Sequence, residues 1–194
     1  MGALQVLPVH EDDQDRAFAT LLVAFAADPV ERWLYPEAHQ YLTHFPTFLS
    51  AFGGKAFAEK TVWRLGAFSG VALWLPPHVN LDGDAIVAVL TGTVAPAKHD
   101  DAFAVLGQMD DAHPKDPHWY LPWFGVDPIV QGRGLGGELM EHCLKVVDED
   151  HLPAYLDSPN PRNIAFYQRF GFVVTGEAQA GACPPMISML RHAR

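Results

Sequence analysis

The 194-residue chain reads as an α/β (α+β) protein, and three observations predict that class. From His118 onward, strand and helix signals alternate in the order strand, helix, strand, helix, strand. A glycine-rich turn, Gln131 to Gly137, joins an aromatic and β-branched run to a strongly amphipathic stretch. Hydrophobic residues make up 49% and charged residues 19%, enough apolar side chains for a real core and too many for a disordered chain.

Each element has a local reason. Leu4 to Val9 alternates as a first strand. Glu11, Asp12 and Asp13 then favour a helix start, because the positive end of the helix dipole attracts acidic side chains. Phe18, Leu21, Leu22 and Phe25 continue that helix until Asp28-Pro29 stops it, and the following residues read as a loop. A second helical stretch covers roughly Glu37 to Phe52, ended by Gly53-Gly54. Thr61–Leu65 and Val71–Leu75 read as a β-hairpin joined by Gly66 to Gly70. The region from Leu81 to Asp111 predicts two helices broken near Pro96. Trp119 to Val126 is a strand closed by Asp127-Pro128. From Gly134 to Asp150 a helix carries Leu135, Leu139, Cys143, Val146 and Val147 on one stripe. Pro153–Asp157 is a short strand. Pro161 to Phe170 is a short helix with Asn160 as N-cap, Pro161 at its first position and Gly171 as its end signal. Phe172–Thr175 and Met186–Leu190 supply the last strands.

Charge and cysteines narrow the partners. Thirteen basic against 23 acidic residues leave a formal charge of −10, which disfavours a nucleic-acid or anionic membrane partner. The two cysteines, Cys143 and Cys183, match no zinc spacing and no disulfide framework, so reduced thiols and no metal are expected. No apolar run approaches a membrane span, and the N-terminus has no signal-peptide pattern. Gly2 lacks the Ser or Thr at position 6 that myristoylation wants, since Val6 stands there. A soluble cytoplasmic protein is therefore expected, one domain over residues 1–194, as monomer or homodimer.

The chemistry begins in the loop Gln131-Gly132-Arg133-Gly134-Leu135-Gly136-Gly137. Glycines let a ligand approach the backbone, and the free N–H groups of the helix start favour an anion such as pyrophosphate. Arg133 adds a possible charged contact. The loop has neither the G-x-G-x-x-G spacing of a dinucleotide fold nor the Gly-Lys-Ser/Thr of a P-loop. A plain tight turn would also use such glycines. A second motif, Asn163-Ile164-Ala165-Phe166-Tyr167-Gln168-Arg169-Phe170-Gly171-Phe172, follows about thirty residues later. Asn163 and Tyr167 are four apart, so one helix face carries both.

Together, Q-x-x-G-x-G opening a helix and N-x-x-x-Y-x-x-x-G-F resemble the signature of the GNAT acetyltransferase family, over at least His118 to Leu190. Pro114 to Leu121 and Pro161-Arg162-Asn163 further resemble the subgroup that contains puromycin N-acetyltransferase. Asp157-Ser158-Pro159 departs from it, standing where that subgroup has Glu-Thr-Ser. The resemblance implies a mixed, mostly antiparallel sheet of about seven strands with helices on both faces. It also implies acetyl-CoA as co-substrate, an acceptor side in residues 1–117 and a cofactor side in 118–194. The fourth and fifth strands would splay, with pantetheine amides pairing with Phe124, Gly125 and Val126. Gly125 suits a bulge or a close approach there, or serves only as a turn residue. The pyrophosphate would sit on Gln131 to Gly137, and Asn163 and Tyr167 would face the thioester. Tyr167 resembles the family's general acid.

An acceptor amine must attack unprotonated, so a base is expected; Asp157, His118, Glu31 and Glu37 are the candidates. Trp33, Tyr35, Tyr41, Trp74, Trp119 and Trp123 are candidates for an acceptor pocket. Trp33 and Tyr35 lead because they follow Asp28-Pro29 in the expected loop, and His118 joins them as a substrate contact. The expected activity is direct N-acetylation of a small amine in a ternary complex. A protein or peptide N-acetyltransferase, or a non-catalytic acyl-CoA sensor, would share these residues.

Overall fold

The computed structural model describes residues 4–194; Gly2 lies outside the described residues. The chain opens with β1 (Val6–Pro8), a 3-10 turn over Glu11–Asp13 and α1 (Gln14–Ala24). Next come α2 (Pro29–Leu34), α3 (Ala38–Gly53) and α4 (Lys55–Ala58). The hairpin β2 (Val62–Leu65) and β3 (Gly70–Leu75) leads to α5 (Gly83–Thr93) and α6 (His99–Ala112). Then follow β4 (Trp119–Val126), α7 (Leu135–Val147), β5 (Ala154–Ser158), α8 (Ile164–Gln168), β6 (Val173–Ala178) and β7 (Met186–Arg191). Among the described residues no helix is long and apolar enough to cross a membrane.

Two short helices depart from the sequence reading. Asp28-Pro29 ends α1 and also starts α2: the Asp28 carboxylate accepts from Val30 N and Glu31 N, with Pro29 at the first helical position. Residues that break one helix are those best suited to begin the next. Trp33 therefore lies on α2 and Tyr35 caps it, in place of the expected loop. The four-residue α4 directly after Gly53-Gly54 is too short to show a period.

The seven strands form one sheet in the order β1-β2-β3-β4-β5-β7-β6. All neighbours are antiparallel except β4 and β5. Side chains alternate across the sheet, so each face buries its own core. One core packs Leu139, Cys143 and Val147 of α7 with Trp74, Leu156 and Met189. The other packs Leu21 of α1, Phe45 and Leu49 of α3 and Leu90 of α5 against Val71, Leu73 and Trp123. Helices thus cover both faces.

The ladder around β4 positions the site. Toward β3 it is paired from Val126↔Gly70 to Tyr120↔Leu75, with one irregularity where Leu121 and Pro122 oppose Trp74. Proline cannot donate a ladder hydrogen bond, so Pro122 marks this bulge. Gly125 lies elsewhere: a Cβ there would stand 2.7 Å from Ala24 Cβ and 3.1 Å from Leu21 Cδ2. Glycine at 125 lets α1 lie close on the strand, and the bulge sits three residues earlier. Toward β5 only Trp119↔Ala154 and Tyr120↔Tyr155 pair. Beyond Tyr120 the two strands part.

Candidate active site

A cavity opens at this fork, and residues from both halves of the chain line it. Phe124 and Pro122 come from β4, Asp157 from β5, Asn163 and Tyr167 from the α8 segment, and Glu31 and Trp33 from α2. Asn160 accepts from Arg162 N and starts a 3-10 turn over Pro161–Asn163, which runs into α8. Gly171, at φ +90°, ends the segment in the left-handed region that only glycine adopts freely. Buried Arg191 holds Phe170 O at 2.8 Å and pairs with Asp148, tying this segment to the end of α7. These constraints aim Asn163 and Tyr167 into the same cavity.

Tyr167 is only 8% exposed. Burial first, and the nearby Asp28 charge second, push its hydroxyl well above the usual tyrosine range, so it keeps its proton. Asp157 accepts hydrogen bonds from Ser188 Oγ at 2.8 Å and Tyr155 OH at 2.9 Å. Burial raises its carboxyl to about 6, against the lowering effect of those bonds. Its ionisation therefore falls close to neutrality.

The phosphate-loop candidates lie at the other end of the fork. Gly132 (φ +75°) and Gly134 (φ +83°) adopt left-handed backbone, with open space where a Cβ would be. Gly134 caps α7, with Leu135 as its first residue. Gln131 Nε2 donates to Val126 O at 2.8 Å, fastening the loop to the end of β4. Arg133 is exposed, its guanidinium 3.4 Å from Ile129 O. Gly136 and Gly137 run beside Phe166 and Phe170 of the α8 segment. Left-handed glycines, a helix N-terminus and the unpaired edge of β4 form a cradle that fits the pyrophosphate and amide groups of acetyl-CoA.

The remaining candidates separate. Trp33 and Trp123 line the cavity. Tyr35 does not: it is fully buried, with its hydroxyl 2.8 Å from Thr93 Oγ1, so the expectation that it lines the acceptor pocket is corrected. Tyr41 is likewise buried and donates to Leu22 O at 2.7 Å. Trp119 donates to Asp150 at 2.9 Å and Trp74 is enclosed in the α7 core. Glu37 is exposed at the N-cap of α3, away from the cavity. His118 lies 2.9 Å from His113, nitrogen to nitrogen, and lines a second cavity of about 640 Å³. Asp157 and Tyr120 line both cavities, so the two adjoin at the fork. Burial, with neighbouring His118 and Lys115, lowers His113 to about 4.

Glu31, by contrast, is 3% exposed and lines the first cavity. Burial first, then the Asp28 charge, raise its carboxyl well above the ordinary range, and its Oε2 is without a hydrogen-bond partner among the described residues. Asp28 itself, missed as a site residue, is raised by burial to about 6. Its signal was present as an Asp-x-x-Glu pattern at a helix start, which sequence reading took only as a stop. Buried Cys183 and half-buried Met186, from the region around β7, also reach the cavity; no local pattern announces them.

Comparison with known proteins agrees with this geometry. Residues 35–172 match the acetyltransferase (GNAT) family. The chain is 29% identical over 185 residues to an uncharacterised N-acetyltransferase of Schizosaccharomyces pombe, covering 85% of this chain and 72% of that protein. The structure described as histone acetyltransferase HPA2 and related acetyltransferase, from Corynebacterium glutamicum, superposes with a TM-score of 0.70 at 23% identity, covering 100% and 98% of the two chains. A Drosophila melanogaster polyamine N-acetyltransferase superposes with a TM-score of 0.67 at 15% identity over 97% and 99%. At such identities the structural likeness speaks for the fold alone. A family match across most of the chain, joined to the forked sheet and the glycine-capped α7, makes this protein a member of the GNAT acetyltransferase family and an acyltransferase.

Proposed function

We propose that the protein N-acetylates a small amine with acetyl-CoA by direct transfer, with Asp157 as base and Tyr167 as acid. The observation that carries this reading is the fork itself: a buried tyrosine and a half-buried carboxyl, on different elements, line the same cavity there. Acetyl-CoA supplies an activated acetyl thioester. Gly132, Gly134 and the N-terminus of α7 hold its phosphates, with Gln131, Arg133, Leu135, Gly136 and Gly137 completing the loop. The free edge of β4 at Phe124, Gly125 and Val126 aligns its amide-bearing arm, and Asn163 orients it beside Tyr167. Asp157 Oδ takes the proton that the acceptor nitrogen loses as the C–N bond forms. Tyr167 OH gives its proton to the sulfur as the C–S bond breaks. Proton transfers of this kind contribute about 10²-fold to 10⁴-fold each. Holding both reactants in a buried cavity adds the larger benefit of orientation.

A small acceptor suits the cavity because its walls are apolar and drawn from five helices and the sheet, including Phe48, Leu90 and Leu106. The likeness to the puromycin subgroup makes puromycin one acceptor worth testing. The experiment combines calorimetric titration with acetyl-CoA and release of free CoA against a panel of amines, for wild type and Tyr167→Phe. Tight acetyl-CoA binding and amine-dependent release, slowed about 100-fold in the variant, are expected. Binding without release for any acceptor would favour a sensor, and absence of binding would overturn the proposal.

A further inference from the structure

The cavity contains more carboxyl groups than one acetyl transfer needs. Asp157, on β5, has its Oδ1 held by Ser188 and Tyr155. Glu31 stands on a different element, α2, nine-tenths and more buried, and Oε2 meets no donor among the described residues. Asp28 is also buried beside it, and its own Oδ1 is spent on the amides of Val30 and Glu31. In a capping box Glu31 would reach back to the Asp28 amide, but that N–H donates to Phe25 O instead.

The basic side chains of this region are engaged elsewhere. Arg32 donates to Pro36 O at 2.7 Å, and Lys98 donates to Trp33 O. A buried carboxyl without a partner is costly, and a protein normally pairs or replaces it. Here it faces a cavity whose walls, Trp33, Phe48 and Trp123 among them, offer aromatic faces and few donors. A ligand that brings a donor into the cavity would supply the missing partner.

We infer that the acceptor is a dication, a diamine-type molecule with an apolar spacer, whose non-reacting ammonium is bound by Glu31 with Asp28 behind it. The inference rests on the proposed acetyltransferase reading and adds the acceptor class to it. The reacting ammonium gives one proton to solvent to become the free amine, loses a second to Asp157 as the C–N bond forms, and becomes a neutral amide. The second nitrogen keeps its charge and its carboxylate throughout, while the aromatic walls stabilise that cation further. A monoamine would serve one carboxyl group and leave the other without a counterion.

Straight-chain α,ω-diamines of three to eight carbons, and the matching n-alkylamines, test this on the intact protein. Calorimetry reads acceptor binding, and CoA release reads turnover. In wild type, a diamine of the right length should exceed its monoamine about 100-fold in both affinity and kcat/KM, the scale of a desolvated charge pair. Glu31→Gln should collapse that ratio toward one, and Glu31→Asp should restore part of it at a different chain length. Should Glu31→Gln fold poorly, the wild-type ratio alone decides. Equal binding of diamines and monoamines by wild type, or a ratio unaltered in Glu31→Gln, overturns the inference. Selective diamine binding with no CoA release would support the inference while the acetyltransferase proposal fails. Release with monoamines and no diamine preference would do the reverse.

Discussion

The two flanks of β4 put one strand to opposite uses. Toward β3 its backbone is paired over most of its length, and side chains on both faces are locked by α1 and α7. Toward β5 it makes two pairs and then stands free, facing a cavity that holds Asp157, Tyr167 and Glu31. The closed flank spends its residues on packing: Leu73 is fully buried, and Gly125 exists to admit Ala24. The open flank leaves backbone hydrogen bonds unmade and buries ionisable groups at a cost. A stable fold tolerates that cost because the closed flank holds the strand in place.

This contrast can be broken by substitution. The largest effect is expected on the open flank. Asp157→Asn should lower kcat/KM about 1000-fold at pH 7, because the attacking nitrogen loses its proton acceptor as the C–N bond forms. In wild type the rate limb should rise with pH through about 6, since the ionised carboxylate is the active form and falling pH protonates it. Asp28 ionises in the same range, so loss of that limb in Asp157→Asn, measured by initial rates from pH 5 to 9, assigns it. A limb that persists would move the base to α2. On the closed flank Leu73→Ala should cost about 3 kcal/mol in urea denaturation through the cavity it leaves. A small stability change with a large rate loss would erase the distinction between the flanks.

The smallest expected effect concerns stability and pH. Glu31 has its folded pKa raised above the ordinary value, so its neutral form is favoured by folding. Its contribution is fully present below about 4.5 and is lost as pH rises through the folded pKa. Gln cannot ionise and avoids that loss. Glu31→Gln should therefore melt about 3 °C higher than wild type at pH 8 and match it at pH 4, by calorimetric scan. Equal melting at both values would mean that Glu31 carries no charge in the folded protein.

Local pattern carried most of the fold. The hairpin of β2 and β3, the break between α5 and α6, and the strand-turn-helix from β4 into α7 all follow from punctuation and periodicity. Short elements escaped it: α2 and α4 have six and four residues, too few for a period, and α2 begins on the dipeptide that ends α1. That misreading put Tyr35 in a pocket when it belongs to the core, and hid Asp28. The candidate site was legible where it is local. Gly132, Gly134, Asn163 and Tyr167 announce themselves by spacing, because backbone conformation and one helix face are properties of neighbouring residues.

By itself, then, the sequence determined the class of fold, the family and the helix face that Asn163 and Tyr167 share. Those follow from interactions over a few residues, where spacing is geometry. The tertiary structure alone decided that β4 and β5 part after Tyr120, and that the bulge is at Leu121-Pro122 and not at Gly125. It also decided which of four acidic or basic candidates reach the cavity: Asp157 and Glu31 do beside Tyr167, His118 faces the neighbouring cavity, and Glu37 faces solvent. Burial and partnership are set by chain segments more than a hundred residues apart, such as α2 and α8, and no local pattern encodes which of them will meet.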